Sequence, residues 1–356
     1  MPGKQDGIDA RNRDFARYEQ VDMKQDYRLA EANSAAAAQA EQFDDDFRIH
    51  TCDLGRWLHG GDEDRRRFAD ELGRALEEIG FAILEGHDVD PALHDEAVAR
   101  TIDLFTRTPL ADKLRFRARR HGSVNQGYFP MQETSNIHPD LVEGWVFCRR
   151  AFEPDRAAEF WPSAEAQAFF GRLAAAHEAL ILPVMQSILT YLGCDPHLYD
   201  ARLGGTNFAL RLNYYPPLSE DDVRSGAGRL LGHEDTDLFT IVPPPSIEGL
   251  QVLHRANMKW VRLDAPRGTL ILNTGDYMQR ITNDRLPSTT HRVSRPRSAA
   301  DQARPRTSCP MNVYVWEDEL LEVLPGLGAP RYAPIRAETF HTRITSKYYG
   351  DDYADE

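Results

Sequence analysis

From Asn207 onward the chain breaks into short apolar runs, FALRLNYY, RLLGHEDTDLFTIV, LQVLH, KWVRLD, TLILNT, HRVS and RTSCPMNVYVW. Pro, Gly, Asn and Asp separate them at close spacing. No other feature constrains the fold as much. Such runs are too short for stable helices, and their turn residues mark each as a strand that needs neighbours. A series of them predicts an antiparallel double-sheet barrel or jelly roll, placed at residues 201–320.

The preceding half has a different period. Asp62 to Ile79 carries Phe68, Leu72, Leu76 and Ile79 at helical spacing, with Gly80 placed to end the helix. Phe81 to Leu84 reads as a buried strand, and Pro91 opens a second helix toward Phe105. Arg107 to Pro162 reads as loop-rich. A long helix is expected over Ala164 to Leu192, kinked at Pro183. Residues 46–200 thus form a helical lead-in region. Residues 1–45 read as a polar extension, partly helical or disordered, and 321–356 as a tail that packs on the core. The fold class expected is mainly β with helices, α+β.

Composition narrows the function. A formal net charge of -14 argues against a nucleic acid as the main partner, because phosphate neutralisation needs a basic surface. The clusters Arg65 to Arg67 and Arg115, Arg117, Arg119 and Arg120 read as solvated faces. No run approaches eighteen consecutive apolar residues, and the N-terminus lacks the pattern of a secretory signal. Neither a membrane partner nor export is expected, which leaves the cytoplasm by default. Cys52, Cys148, Cys194 and Cys309 are scattered without a C-x-x-C pair, so they read as reduced buried thiols. A small-molecule substrate fits this chain best.

The sharpest local signal is Gly232-His233-Glu234-Asp235-Thr236-Asp237. On extended backbone His233 and Asp235 share a face and Glu234 points the other way. Asp237 is a rival carboxylate if the strand continues. A third ligand is offered by His291 in PSTTHRV, 58 residues beyond His233. Two imidazoles and a carboxylate on one side of an octahedral ion leave three positions open, which suits non-haem Fe(II) and not a closed structural zinc site. Arg306 and Ser308 likewise share a strand face, fifteen residues past His291. A guanidinium among apolar strands needs an anion, and a carboxylate matches its fork. Asn213 and Tyr215 supply an amide and a phenol on a common face.

In order and spacing, RLNYYPP, GHEDTDLFTIV, GLQV, NTGDYMQRITNDRLPSTTHRV and RTS resemble the isopenicillin N synthase-like family of 2-oxoglutarate/Fe(II)-dependent dioxygenases. IGFAILEGH, PLADK and GYFP are similar to that family's N-terminal region. The resemblance implies a distorted double-stranded β-helix (jelly roll) and an enzyme using Fe(II), 2-oxoglutarate as co-substrate and dioxygen. It implies that His233, Asp235 and His291 hold the iron. Arg306 and Ser308 would take the distal carboxylate of 2-oxoglutarate, with Tyr215 assisting and Asn213 nearer the metal-bound end. The implied reaction couples oxidative decarboxylation of 2-oxoglutarate to C–H oxidation of a small metabolite by hydroxylation, desaturation or cyclisation. A carboxylate at position 235 argues against halogenation. Two rivals remain: an iron oxidase on the same fold that needs no 2-oxoglutarate, and an inactive jelly-roll binding protein. Tyr128, Phe129, Arg149, Arg150 and Arg211 are candidates to meet the substrate.

Overall fold

A computed structural model describes residues 42–121, 124–131, 141–153, 157–225 and 229–349. The expected extension, 1–45, falls almost wholly outside them. The strands are β1 (Thr51–Asp53), β2 (Phe81–Glu85), β3 (Arg119–His121), β4 (Val124–Phe129) and β5 (Glu143–Cys148). After them come β6 (Asn207–Tyr215), β7 (Leu230–His233), β8 (Phe239–Val242), β9 (Leu250–His254) and β10 (Lys259–Arg262). The series ends with β11 (Leu270–Thr274), β12 (His291–Val293), β13 (Arg306–Ser308) and β14 (Met311–Tyr314), apart from a short pair in the tail.

Two sheets form the jelly roll. The larger runs β1-β2-β11-β8-β14-β6-β5-β4-β3, with β13 also paired to β6; the smaller runs β10-β9-β12-β7. Apart from the parallel β1–β2 contact, these pairings are antiparallel. Strands on both sides of residue 200 share the larger sheet, because β5 lies along β6 and β2 along β11.

The helices follow from their sequence. Asp62–Ile79 begins with three acids, which favour the positive helix start, and buries Phe68, Leu72, Leu76 and Ile79. Gly80 takes φ 72°, and its N–H bonds the Leu76 carbonyl at 2.8 Å, a left-handed cap that a residue with a Cβ adopts only at a cost. Pro91–Arg107 is capped by Asp90, whose carboxylate accepts the Ala92 N–H at 2.9 Å. The long helix is interrupted, as Ala164–Glu178 and Ile181–Tyr191. Its break lies one turn before Pro183, because the proline ring opposes the carbonyl four residues earlier. By length and composition this helical stretch would cross a bilayer, but Phe169, Leu173, Ile181, Val184 and Ile188 are buried in the main core.

Two expectations change. Arg107 to Pro162 contains β3, β4 and β5 as well as loops. Trp145 and Phe147 of β5 are fully buried, so that strand is enclosed and shows a continuous apolar run instead of alternation. The run RLLGHEDTDLFTIV is two strands in different sheets, β7 and β8, joined by a crossover at 234–238.

A buried histidine pair joins the helices Pro91–Arg107 and Ala164–Glu178. His94 Nε2 and His177 Nε2 lie 3.1 Å apart, and among the described residues neither Nδ1 has a partner. Burial, then neighbouring histidines, holds His94 down to about 4 and His177 down to about 3. The unfolded chain therefore binds protons that the folded chain refuses, and stability falls as pH drops below about 6.5. We expect denaturation free energy to decline toward about 1.4 kcal/mol per pH unit for each imidazole. Urea titrations between pH 7 and 5 read this directly. The slope shrinks in the double variant His94→Leu/His177→Leu to the part left by His87, which burial also holds down, and an undiminished slope there would assign it to other groups.

Candidate active site

β7 and β12 are neighbours in the smaller sheet, and His233 faces His291 across the ladder. Asp235 stands two residues beyond β7, at the start of the crossover. One ligating atom from each residue lies within 4.8 Å of the others. His233 Nε2 is 3.8 Å from Asp235 Oδ1, and His291 Nε2 is 3.9 Å from Asp235 Oδ2. His291 Nδ1 is 3.1 Å from the Thr289 carbonyl oxygen. A carbonyl only accepts, so Nδ1 carries the proton and Nε2 turns its lone pair to the cluster. Phe81 meets the His291 ring edge-on at 5.4 Å and fixes its plane.

Asp235 is held from behind. Its Oδ2 accepts from Thr240 Oγ1 and Asn273 Nδ2, each at 2.8 Å. Burial alone would push the Asp235 carboxyl up, but His291, His233 and these two donors outweigh it and keep the group ionised. Glu234 points away, accepting from Thr290 Oγ1 at 2.9 Å, as strand alternation requires.

Asp237, the rival carboxylate, is outside the cluster. Its Oδ2 lies 2.7 Å from Thr240 Oγ1 and 2.8 Å from Asn312 Nδ2. Burial and then the Asp235 charge push its carboxyl well up. Thr240 has one hydroxyl proton for two carboxyl groups, and a neutral Asp237 resolves the conflict by donating to Thr240, which donates to Asp235. Gly275 backs this loop so closely that a Cβ would lie 2.1 Å from Asp237 Oδ1.

The co-substrate candidates converge through register. Arg306 faces Tyr215 and Ser308 faces Asn213 where β13 pairs with β6. Arg306 is buried; its Nε donates to the Ile247 carbonyl at 3.0 Å, and among the described residues Nη1 has no partner. Its guanidinium stands 4.8 Å from the Tyr215 ring centre, and Asn213 Nδ2 reaches Ser308 Oγ at 3.3 Å. A buried, unfilled guanidinium donor beside a hydroxyl fits a carboxylate. The strand then breaks at Cys309-Pro310, since proline has no N–H for the ladder, and resumes as β14.

The proposed substrate contacts divide. Tyr128 is buried with its hydroxyl on Glu143 at 2.6 Å, beside Lys113 Nζ at 2.6 Å from the same oxygen, so it belongs to the core. Arg149 is committed to Glu178. Arg211 is half-buried, donates to Asn213 Oδ1 at 2.8 Å, and lies 6.0 Å from the Phe129 ring. Sequence reasoning missed Thr240, Asn273 and Asn312. Each is a polar residue within an otherwise apolar strand, a signal that a buried partner awaits it.

Family profiles agree with this geometry. The 2OG-Fe(II) oxygenase superfamily matches residues 206–311, and the non-haem dioxygenase in morphine synthesis N-terminal family matches 49–164. A 2-oxoglutarate-Fe(II) type oxidoreductase, ppzC, of Metarhizium majus is 29% identical over 65% of this chain and 69% of its own. A Caulobacter crescentus protein described as of the 2OG-Fe(II) oxygenase family is 30% identical, with a TM-score of 0.70, over 84% of this chain and 99% of its own. A Neurospora crassa structure with alpha-KG bound has the same fold, at a TM-score of 0.75 and 22% identity, over 86% of this chain and 99% of its own. The chain belongs to the 2OG-Fe(II) oxygenase superfamily.

Proposed function

We propose that this enzyme binds Fe(II) through His233, Asp235 and His291, and 2-oxoglutarate through Arg306, Ser308, Tyr215 and Asn213. As a member of its family it is an Fe(II)- and 2-oxoglutarate-dependent oxygenase acting on a small metabolite. The observation that carries the residue assignment is the convergence of three donor atoms within 4.8 Å, two from paired strands and one from a crossover. When bound, Fe(II) supplies dioxygen activation and oxidation of a substrate C–H bond. The chain supplies orientation. Thr240 and Asn273 aim Asp235, and the Thr289 carbonyl fixes the His291 tautomer. Arg306 sets the distance of the co-substrate from the metal, with its charge in a dry environment. Arg211 is the cation we assign to an anionic group of the primary substrate.

Arg306→Met removes one partner of a buried charge pair, a loss of about 2–5 kcal/mol, so 2-oxoglutarate affinity should fall roughly thirtyfold or more. Anaerobic titration of the Fe(II) protein, followed by its charge-transfer absorption, measures this. Unchanged affinity would refute the assignment. Succinate released per dioxygen consumed separates the reading from an oxidase that ignores 2-oxoglutarate, for which succinate is zero.

A further inference from the structure

A second buried arginine lies close enough to Arg306 to feel its charge. Arg229 directly precedes β7, and its N–H bonds the Val293 carbonyl at 3.2 Å. It is 0% exposed, yet among the described residues its Nε and Nη1 have no partner. Among the described residues its Nη2 reaches only the Arg304 carbonyl, at a long 3.4 Å. Arg304 is two residues from Arg306, and burial followed by the Arg306 charge pushes the Arg229 guanidinium down to about 10. Among the described residues no carboxylate bonds either arginine. Asp301, whose charge reaches Arg229, is occupied with Ser298 and Arg304. Two buried guanidinium groups thus lie near enough to feel each other's charge, each with a donor unfilled among the described residues, an arrangement that a shared anion resolves.

We propose that Arg229 is a second guanidinium at the distal carboxylate of 2-oxoglutarate, which is clamped between Arg229 and Arg306. The proposal rests on the reading of Arg306 given above. A carboxylate has four lone-pair sites, enough for both arginines, Ser308 and the Tyr215 hydroxyl together. The alternative is a structural arginine that pins the Arg304 carbonyl. The two differ in what truncation does. A clamp residue loses ligand affinity when removed, and its removal relieves repulsion in the unliganded protein. A structural residue loses melting temperature and leaves affinity alone.

The test compares Arg229→Met, Arg229→Lys and Arg306→Met, each loaded with Mn(II) and titrated calorimetrically with 2-oxoglutarate without oxygen. Arg229→Met should raise the Kd about 10- to 100-fold, and Arg229→Lys less, since an ammonium keeps charge but not the fork. The melting temperature of Arg229→Met without ligand should equal or exceed that of the parent. A Kd within about twofold of the parent overturns the proposal, whatever the melting temperature does. If Arg229→Met does not fold, Arg229→Lys decides by the same criterion. If Arg306→Met also leaves Kd unchanged, the co-substrate reading itself has failed. If Arg306→Met alone weakens binding, only the clamp has failed.

Discussion

Asp235→Ala is expected to abolish turnover and to weaken Fe(II) binding beyond the about 10- to 100-fold typical of losing an outer-shell partner. The side chain does two jobs at once. It faces both imidazoles with its two oxygens, and it receives the Thr240 and Asn273 donors. Alanine therefore also strands two buried donors, at about 1–3 kcal/mol each. Asp235→Asn separates these roles, since the amide keeps the shape and loses the charge. Asp237→Asn is the decisive companion. Asp237 is a neutral acid within a Thr240–Asn312 network, so the amide should retain metal affinity. Ferrous titrations of all three variants under nitrogen give the answer. Retained affinity in Asp235→Ala, with loss in Asp237→Asn, would exchange the two carboxylates and end the assignment.

Gly275→Ala is expected to produce a large loss of stability from a single added methyl group. Its backbone, φ −109° and ψ −170°, suits alanine, so the penalty is purely steric. The new Cβ would lie 2.1 Å from Asp237 Oδ1, 2.6 Å from the Asp237 carbonyl oxygen and 2.7 Å from the Asp235 carbonyl oxygen. Two of those three atoms are backbone and cannot rotate away. Overpacking ordinarily costs about 1–3 kcal/mol, and this site belongs at or above the upper end. The crossover must move, and Asp235 moves with it. Thermal unfolding should therefore shift down by several degrees, and iron affinity should drop in parallel. A variant that melts like the parent would show that the crossover yields easily, contrary to its enclosure by the helix Asp276–Ile281, whose first N–H groups bond the Asp235 and Asp237 carbonyls at 2.8 and 2.9 Å.

The elements readable from sequence were those whose signal is local. His233 and Asp235 are two residues apart, and extended backbone alone puts them on one side. Gly80 announces a helix end by itself. The pairing of His233 with His291, and of Arg306 with Tyr215, depends on strand register, which the sequence only bounds through the order of its runs. The resemblance to a known family supplied that part. The polar residues behind Asp235 escaped notice for one cause. Asn273, Thr240 and Asn312 come from three strands adjacent in the sheet and distant in the chain, so no window of sequence displays their network. β5 hid for another reason: buried on both faces, EGWVFC lacks the alternation that marks a half-buried strand. The break before Pro183 was displaced by one turn because a proline acts on the carbonyl four residues upstream.

The two imidazoles hang from opposite ends of one rung of a strand ladder, so their separation is inherited from backbone pairing and owes nothing to the ion. The socket is built before it is filled. Metal exchange then becomes a matter of ligand kinetics, unlike small zinc modules whose chains order only around their ion. Chelation should leave an empty but intact receptacle, ready to be recharged with ferrous or a redox-silent substitute.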